Sequence, residues 1–138
     1  MNVDQLTKDL IIDEGKVKLL YVDSLGVPTI GVGRNLRDRG ISDDEIAYLL
    51  KNDIAIVTAD LDRNLPWWRL MTEARQLALA NMAFNLGITK LLRFANTLAF
   101  MRSGDYGSAA NAMLDSLWSK QVGKRAVRIA KIIRTGET

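Results

Sequence analysis

Apolar residues recur at helical spacing from the start of the chain. Val3, Leu6, Leu10 and Ile11 fall on one stripe, and Gly15 supplies a natural stop. The pattern predicts a helix over about residues 2–14. The period then changes. The stretches VKLLYVD and VPTIGVG are dense in β-branched and apolar residues and are joined through Ser24-Leu25-Gly26, which reads as a hairpin. A third short strand over about 34–40 can extend it. Pro28 has no amide donor, which marks its strand as an edge strand or an irregular one. Two registers fit the hairpin. A turn centred on Gly26 sets Asp23 opposite Thr29 on one face, with Cβ atoms about 5 Å apart. A two-residue turn at Leu25-Gly26 sets Asp23 opposite Pro28 instead.

Ser42-Asp43-Asp44-Glu45 is a capping box, in which the serine side chain accepts from an amide of the first turn while the glutamate reaches back. Behind it Ile46, Leu50, Ile54, Val57 and Leu61 form a helical stripe that runs to about Asp62. Asn64-Leu65-Pro66 ends it. Residues Thr72 to Leu86, TEARQLALANMAFNL, are apolar on nearly every side and are followed by Gly87, which suits a helix at the centre of a bundle. Shorter helices are predicted over about 89–93, 96–103 and 106–116, and an amphipathic last one over about 123–134. No repeat, low-complexity segment or flexible linker interrupts the series.

These elements predict an α+β, mainly helical chain, folded as one domain over residues 1–138. It comprises a small β-hairpin lobe (about 15–41), a long connecting helix (about 43–62) and a helical bundle lobe (about 66–136), to which the N-terminal helix 2–14 is assigned. Clefts between lobes are the usual place for ligands, and Glu14 falls where the first helix meets the β lobe.

Composition narrows the chemistry. The chain is 48% hydrophobic and 25% charged, enough for a real core, and no apolar run approaches the roughly 20 residues that span a bilayer. It has no cysteine and no histidine. That excludes disulfides, thiolate nucleophiles, imidazole bases and metal sites built on those ligands. Proton transfers would fall to Asp, Glu, Lys or Tyr. Asp43, Asp44 and Glu45 are explained by the capping box without a metal. GVG at 31–33 lacks a following helix, so its glycines serve tight strand packing or close backbone approach rather than phosphate binding.

The net charge of +3 conceals an asymmetry. Residues 1–63 carry 8 basic and 12 acidic side chains, whereas residues 64–138 carry 11 and 4. From Trp118 to Gly136 there are six basic residues and no acid. Such a half suits a polyanionic partner or a solvated helix face. No motif that reads DNA or RNA accompanies it.

Glu14 closes a helix and Asp23 lies on a strand, so the two acids have different environments available, one as a general acid and one as an ionised partner. Glycoside hydrolysis requires such a pairing. A hydroxyl at Thr29 beside Asp23 would help to hold a water.

IDEGxxxxxYxD followed by TIGxG, here Ile12-Asp13-Glu14-Gly15, Tyr21, Asp23 and Thr29-Ile30-Gly31-Val32-Gly33, resembles the phage-type lysozyme (endolysin) family, the muramidases typified by the T-even bacteriophage enzyme. ALANMAFNLG at 78–87, FANTL at 94–98, Trp118 and KRAVRIAKIIRTG at 124–136 extend the resemblance over nearly the whole chain. It implies a lysozyme-like fold with an active-site cleft between lobes. It also implies a peptidoglycan hydrolase acting without metal or cofactor on the β-1,4 bond between N-acetylmuramic acid and N-acetylglucosamine, with inversion at the anomeric centre. By position, Glu14 would be the general acid, and Asp23 and Thr29 would hold the attacking water, or Asp23 would stabilise positive charge developing on the sugar. Phe84 and Thr97 would meet substrate, and Arg125 would lie across the cleft near Glu14. Arg34 stands where the family pattern has histidine, which removes a histidine–aspartate pair. The segment RNLRDRGI is short, so a reduced β lobe is expected.

The alternatives are a lytic transglycosylase on the same bond and an inactive cell-wall-binding or nucleic-acid-binding domain. The Asp23 and Thr29 spacing argues for hydrolysis. The basic C-terminal half is expected to attract the anionic bacterial envelope, with no nucleic acid bound and no stable membrane insertion, and a monomer is the default. No basic start followed by an apolar block opens the chain. The expectation is therefore accumulation in the host cytoplasm and, by the resemblance, release to the wall (periplasm) through a holin.

Overall fold

A computed structural model describes residues 1–138. The chain is α+β and mainly helical, as the pattern predicts, with eight α-helices and one three-stranded antiparallel sheet. It divides into two compact units, Met1–Leu49 and Leu50–Thr138. The first helix groups with the sheet in the first unit, whereas the sequence pattern assigns it to the helical lobe.

The first unit starts with α1 (Val3–Glu14), capped by Asn2, whose side-chain oxygen accepts from the Gln5 amide at 3.0 Å. Gly15 ends it with φ 83°, a backbone angle few other residues adopt at low cost. The predicted stripe is present, but no residue of α1 is buried. The sheet follows in the order β1 (Val17–Val22), β2 (Pro28–Gly31) and β3 (Arg34–Asn35). Pro28 therefore lies on the central strand, not an edge. It is tolerated because it is the first residue of that strand, while its carbonyl accepts from the Leu36 amide at 2.9 Å.

Neither expected hairpin register forms. Tyr21 faces Thr29, Val22 faces Pro28, and the Asp23 amide donates to the Val27 carbonyl at 3.0 Å. The loop is thus three residues, Ser24-Leu25-Gly26, centred on Leu25. The Gly26 amide closes a turn on the Asp23 carbonyl at 3.0 Å, and Gly26 takes φ 77°. A turn followed by a left-handed glycine is a common three-residue hairpin. Toward the other end, Val17 faces Gly31, so β1 carries extra residues between Val17 and Tyr21 and bulges there.

The capping box forms as read. The Glu45 amide donates to Ser42 Oγ at 3.2 Å and the Ser42 amide donates to Glu45 Oε1 at 3.0 Å. It opens α2 (Asp43–Asn64), which runs on into the second unit. Of the α2 stripe only Leu61 is fully buried. Val57 is half-buried, and Ile46, Leu50 and Ile54 are exposed.

The second unit holds the core. A 3-10 turn over Pro66–Leu70 leads into α3 (Glu73–Leu86), α4 (Ile88–Leu91), α5 (Ala95–Ser103), α6 (Tyr106–Leu114), α7 (Leu117–Val122) and α8 (Lys124–Thr135). Leu61, Leu79, Met82, Leu91, Met101, Met113, Ile129 and Ile133 are its largest fully buried side chains. The predicted central helix, α3, buries Ala78, Leu79, Met82 and Ala83 but leaves Leu77 and Phe84 exposed. Arg75 ties α3 to the end of α8. Its Nε donates to the Ile133 carbonyl at 2.7 Å and its Nη2 to the Arg134 carbonyl at 3.2 Å, while the guanidinium lies 3.5 Å over the Tyr106 ring. A cation on unsatisfied C-terminal carbonyls is favourable through both the hydrogen bonds and the helix dipole.

Candidate active site

Each predicted catalytic side chain lies in the first unit. Glu14 is the last residue of α1. Because Gly15 turns the chain and Val17 then pairs with Gly31, the helix end is brought beside the β2–β3 turn, Val32-Gly33. The approach is close. A Cβ built on Gly33 would lie 2.9 Å from Glu14 Oε2 and 3.1 Å from Cδ.

Asp23 heads the hairpin turn. Its Oδ1 accepts from the Leu25 amide at 2.8 Å and from the Val27 amide at 2.9 Å. Aspartate at the first turn position commonly bonds the backbone ahead of it in this way. These bonds fix the carboxylate and occupy one oxygen, leaving Oδ2 without a donor from the chain. Thr29 is buried on β2, and its hydroxyl donates to the Val27 carbonyl at 2.8 Å. With its proton committed there, Thr29 Oγ1 offers only lone pairs to anything else. Asp23 and Thr29 are diagonal neighbours on one face of the hairpin rather than directly opposed, and the Val27 peptide sits between them. Its N–H holds Asp23 Oδ1, and its carbonyl accepts from both the Asp23 amide and the Thr29 hydroxyl. The expected pairing of Asp23 with Thr29 is therefore replaced by a shared anchor. The cause is the three-residue loop, which sets Tyr21 rather than Asp23 opposite Thr29.

Arg34 does not leave the family histidine's place without a pair. Its Nη1 donates to Glu45 Oε1 at 2.9 Å and to the Gly40 carbonyl at 3.2 Å. Glu45 Oε1 thus serves the capping box and an ion pair at once. The Arg34 hydrogen bond, followed by those from Ser42, holds the Glu45 carboxyl at about 2, below its ordinary 4.5. Arg37 braces the hairpin from the same segment, its Nη2 donating to the Gly26 carbonyl at 2.9 Å. The small β lobe is thus cross-tied at both ends.

The other predicted residues lie in the second unit. Phe84 and Arg125 line one groove of 350 Å³ with Leu50, Ile54, Leu77 and Asn81. Arg125 is held there by Asn81, Nε donating to the side-chain oxygen at 2.9 Å and Nη2 to the carbonyl at 3.3 Å. Thr97 is buried on α5 and opens onto a separate polar recess of 220 Å³ with Arg93, Asn96 and Asp115. Phe84 and Thr97 therefore line different depressions. Sequence reasoning missed Val27 and Asn81. Val27 acts through its backbone, which carries no residue-type signal, and Asn81 through a side-chain oxygen whose partner is 44 residues away. The GVG motif marked Gly33 but not its neighbour.

A family model described as phage lysozyme matches residues 12–134. The pre-baseplate central spike protein Gp5 of Enterobacteria phage T4 is 31% identical over 152 residues, covering 90% of this chain; the chain spans only 26% of that protein. A probable T4-type lysozyme 1 of Dictyostelium discoideum is 24% identical, covering 94% of both chains. A probable T4-type lysozyme 2 of the same organism is 23% identical, covering 97% of this chain and 96% of its own.

Proposed function

The chain belongs to the phage lysozyme family, and from that premise we propose that it hydrolyses peptidoglycan at the β-1,4 bond between N-acetylmuramic acid and N-acetylglucosamine. The observation that carries this reading is that Glu14, Asp23 and Thr29 lie in one unit, Glu14 beside the β2–β3 turn, Asp23 at the head of the β1–β2 turn and Thr29 on β2, bonded to the same Val27 as Asp23. Glu14 donates its proton to the glycosidic oxygen as the bond to the anomeric carbon breaks. A water attacks that carbon. Thr29 Oγ1 and Asp23 Oδ2 accept from this water, and Asp23 takes its proton. Two carboxyl groups with these separate tasks are what an inverting glycosidase needs. No step requires a metal or cofactor. Phe84 and Thr97 contact glycan or peptide, and the whole serves lysis of a bacterial host after a holin gives access to the wall.

Product analysis tests the reaction. Digestion of purified peptidoglycan should yield reducing N-acetylmuramic acid ends, and proton NMR should detect the α-anomer first. Anhydromuramyl ends in the mass spectrum would instead identify a transglycosylase and overturn hydrolysis.

A further inference from the structure

We propose that Gly33 is a positioning residue that sets where the Glu14 carboxyl stands, a role that rests on the proposed function of Glu14. Gly33 has φ 64°, and the place where its side chain would stand is occupied: an ideal Cβ would lie 2.9 Å from Glu14 Oε2, 3.1 Å from Cδ and 3.3 Å from Cγ. Three consecutive atoms of one side chain thus lie against the bare Cα of another residue. Real Cβ atoms do not approach this closely, so any side chain at 33 must move something. The atom that yields is the free end of an exposed, flexible glutamate. Relief of the clash therefore costs little in folding and falls on the position of the acid. A displacement on the order of 1 Å in a reacting group can cost about a hundredfold in rate.

The same turn supplies its own control. Gly31 has φ 69°, nearly that of Gly33, but a Cβ there meets nothing within 4 Å. Alanine at either position carries the same left-handed backbone strain. Only alanine at 33 touches Glu14. The difference between the two variants isolates the contact from the strain.

The test measures muropeptide release and thermal melting for wild type, Gly31→Ala, Gly33→Ala and Glu14→Gln. Both glycine variants should melt below wild type by similar amounts. Gly33→Ala should lose at least tenfold more kcat than Gly31→Ala, with KM retained and its pH–rate profile displaced, while the Gly31→Ala profile overlays that of wild type. If Gly33→Ala does not fold, Gly33→Asn takes its place, carrying the same Cβ at a lower backbone cost. Equal activity and superimposable pH profiles for the variants at 31 and 33 would overturn the inference. A fully active Glu14→Gln would overturn the role of Glu14 itself, and this inference with it, so the two failures are told apart.

Discussion

Val27 joins the two groups proposed to hold the attacking water. Asp23 Oδ1 and the Thr29 hydroxyl bind opposite ends of its backbone groups, N–H and C=O. Their spacing is therefore set by main chain rather than by flexible side chains, and only the Thr29 lone pairs are left for a water. Replacing Thr29 with valine keeps the buried shape and removes those lone pairs. The Val27 carbonyl still accepts from the Asp23 amide, so no buried group is orphaned. Thr29→Val should lose about tenfold in kcat, the worth of one hydrogen bond, with melting nearly unchanged. Steady-state muropeptide release and calorimetry check both halves. At this scale the sequence revealed which residue types could act, because the absence of histidine and cysteine left proton transfer to Asp, Glu, Lys or Tyr. It could not reveal Gly33, since a glycine's value here lies in what a distant side chain does with the space.

Among the elements, legibility follows how local the cause is. The capping box was readable because its donors and acceptors lie within four consecutive residues. The hairpin register was not, because two- and three-residue loops both suit Ser24-Leu25-Gly26, and each choice changes every cross-strand partner. Helix α7 was missed because six residues carry too little periodicity, although Ser116 caps it and Trp118 is buried beneath it, its Nε1 donating to Asn85 Oδ1 at 2.8 Å. Arg34 was expected only to break a pair. It makes a new one with Glu45, and this has a pH signature. Glu45 titrates at about 2 in the folded chain against an ordinary 4.5. Its lowered value means that the carboxylate form favours folding. That contribution is fully present above pH 4.5 and is lost as pH falls toward about 2. The pair is partly exposed, so the effect is modest. Glu45→Gln should lower the melting temperature near neutrality and flatten its decline over that acid window. Melting curves against pH for the two proteins measure this.

For the whole molecule, the charge asymmetry acquires detail. Of the five basic residues on α8, Arg125 is occupied by Asn81 and Arg134 by Asn111 at 2.7 Å. Lys124, Arg128 and Lys131 remain exposed, and we propose that they attract the anionic envelope. Attraction between exposed charges is screened by salt. Lysis of permeabilised cells should therefore slow as ionic strength rises from low to physiological, while cleavage of soluble, uncharged glycan fragments should not. Lys124→Glu with Arg128→Glu should flatten the first dependence. The broad architecture was legible because a helix, a hairpin and a bundle each leave a distinct period in the sequence. Whether that architecture performs hydrolysis rests on two carboxylates, and the most direct measurement is the rate of muropeptide release by Glu14→Gln and Asp23→Asn beside wild type. Both substitutions preserve side-chain shape. The account predicts that each variant folds and loses at least about a hundredfold in kcat. Two variants that release muropeptides as fast as wild type would contradict it.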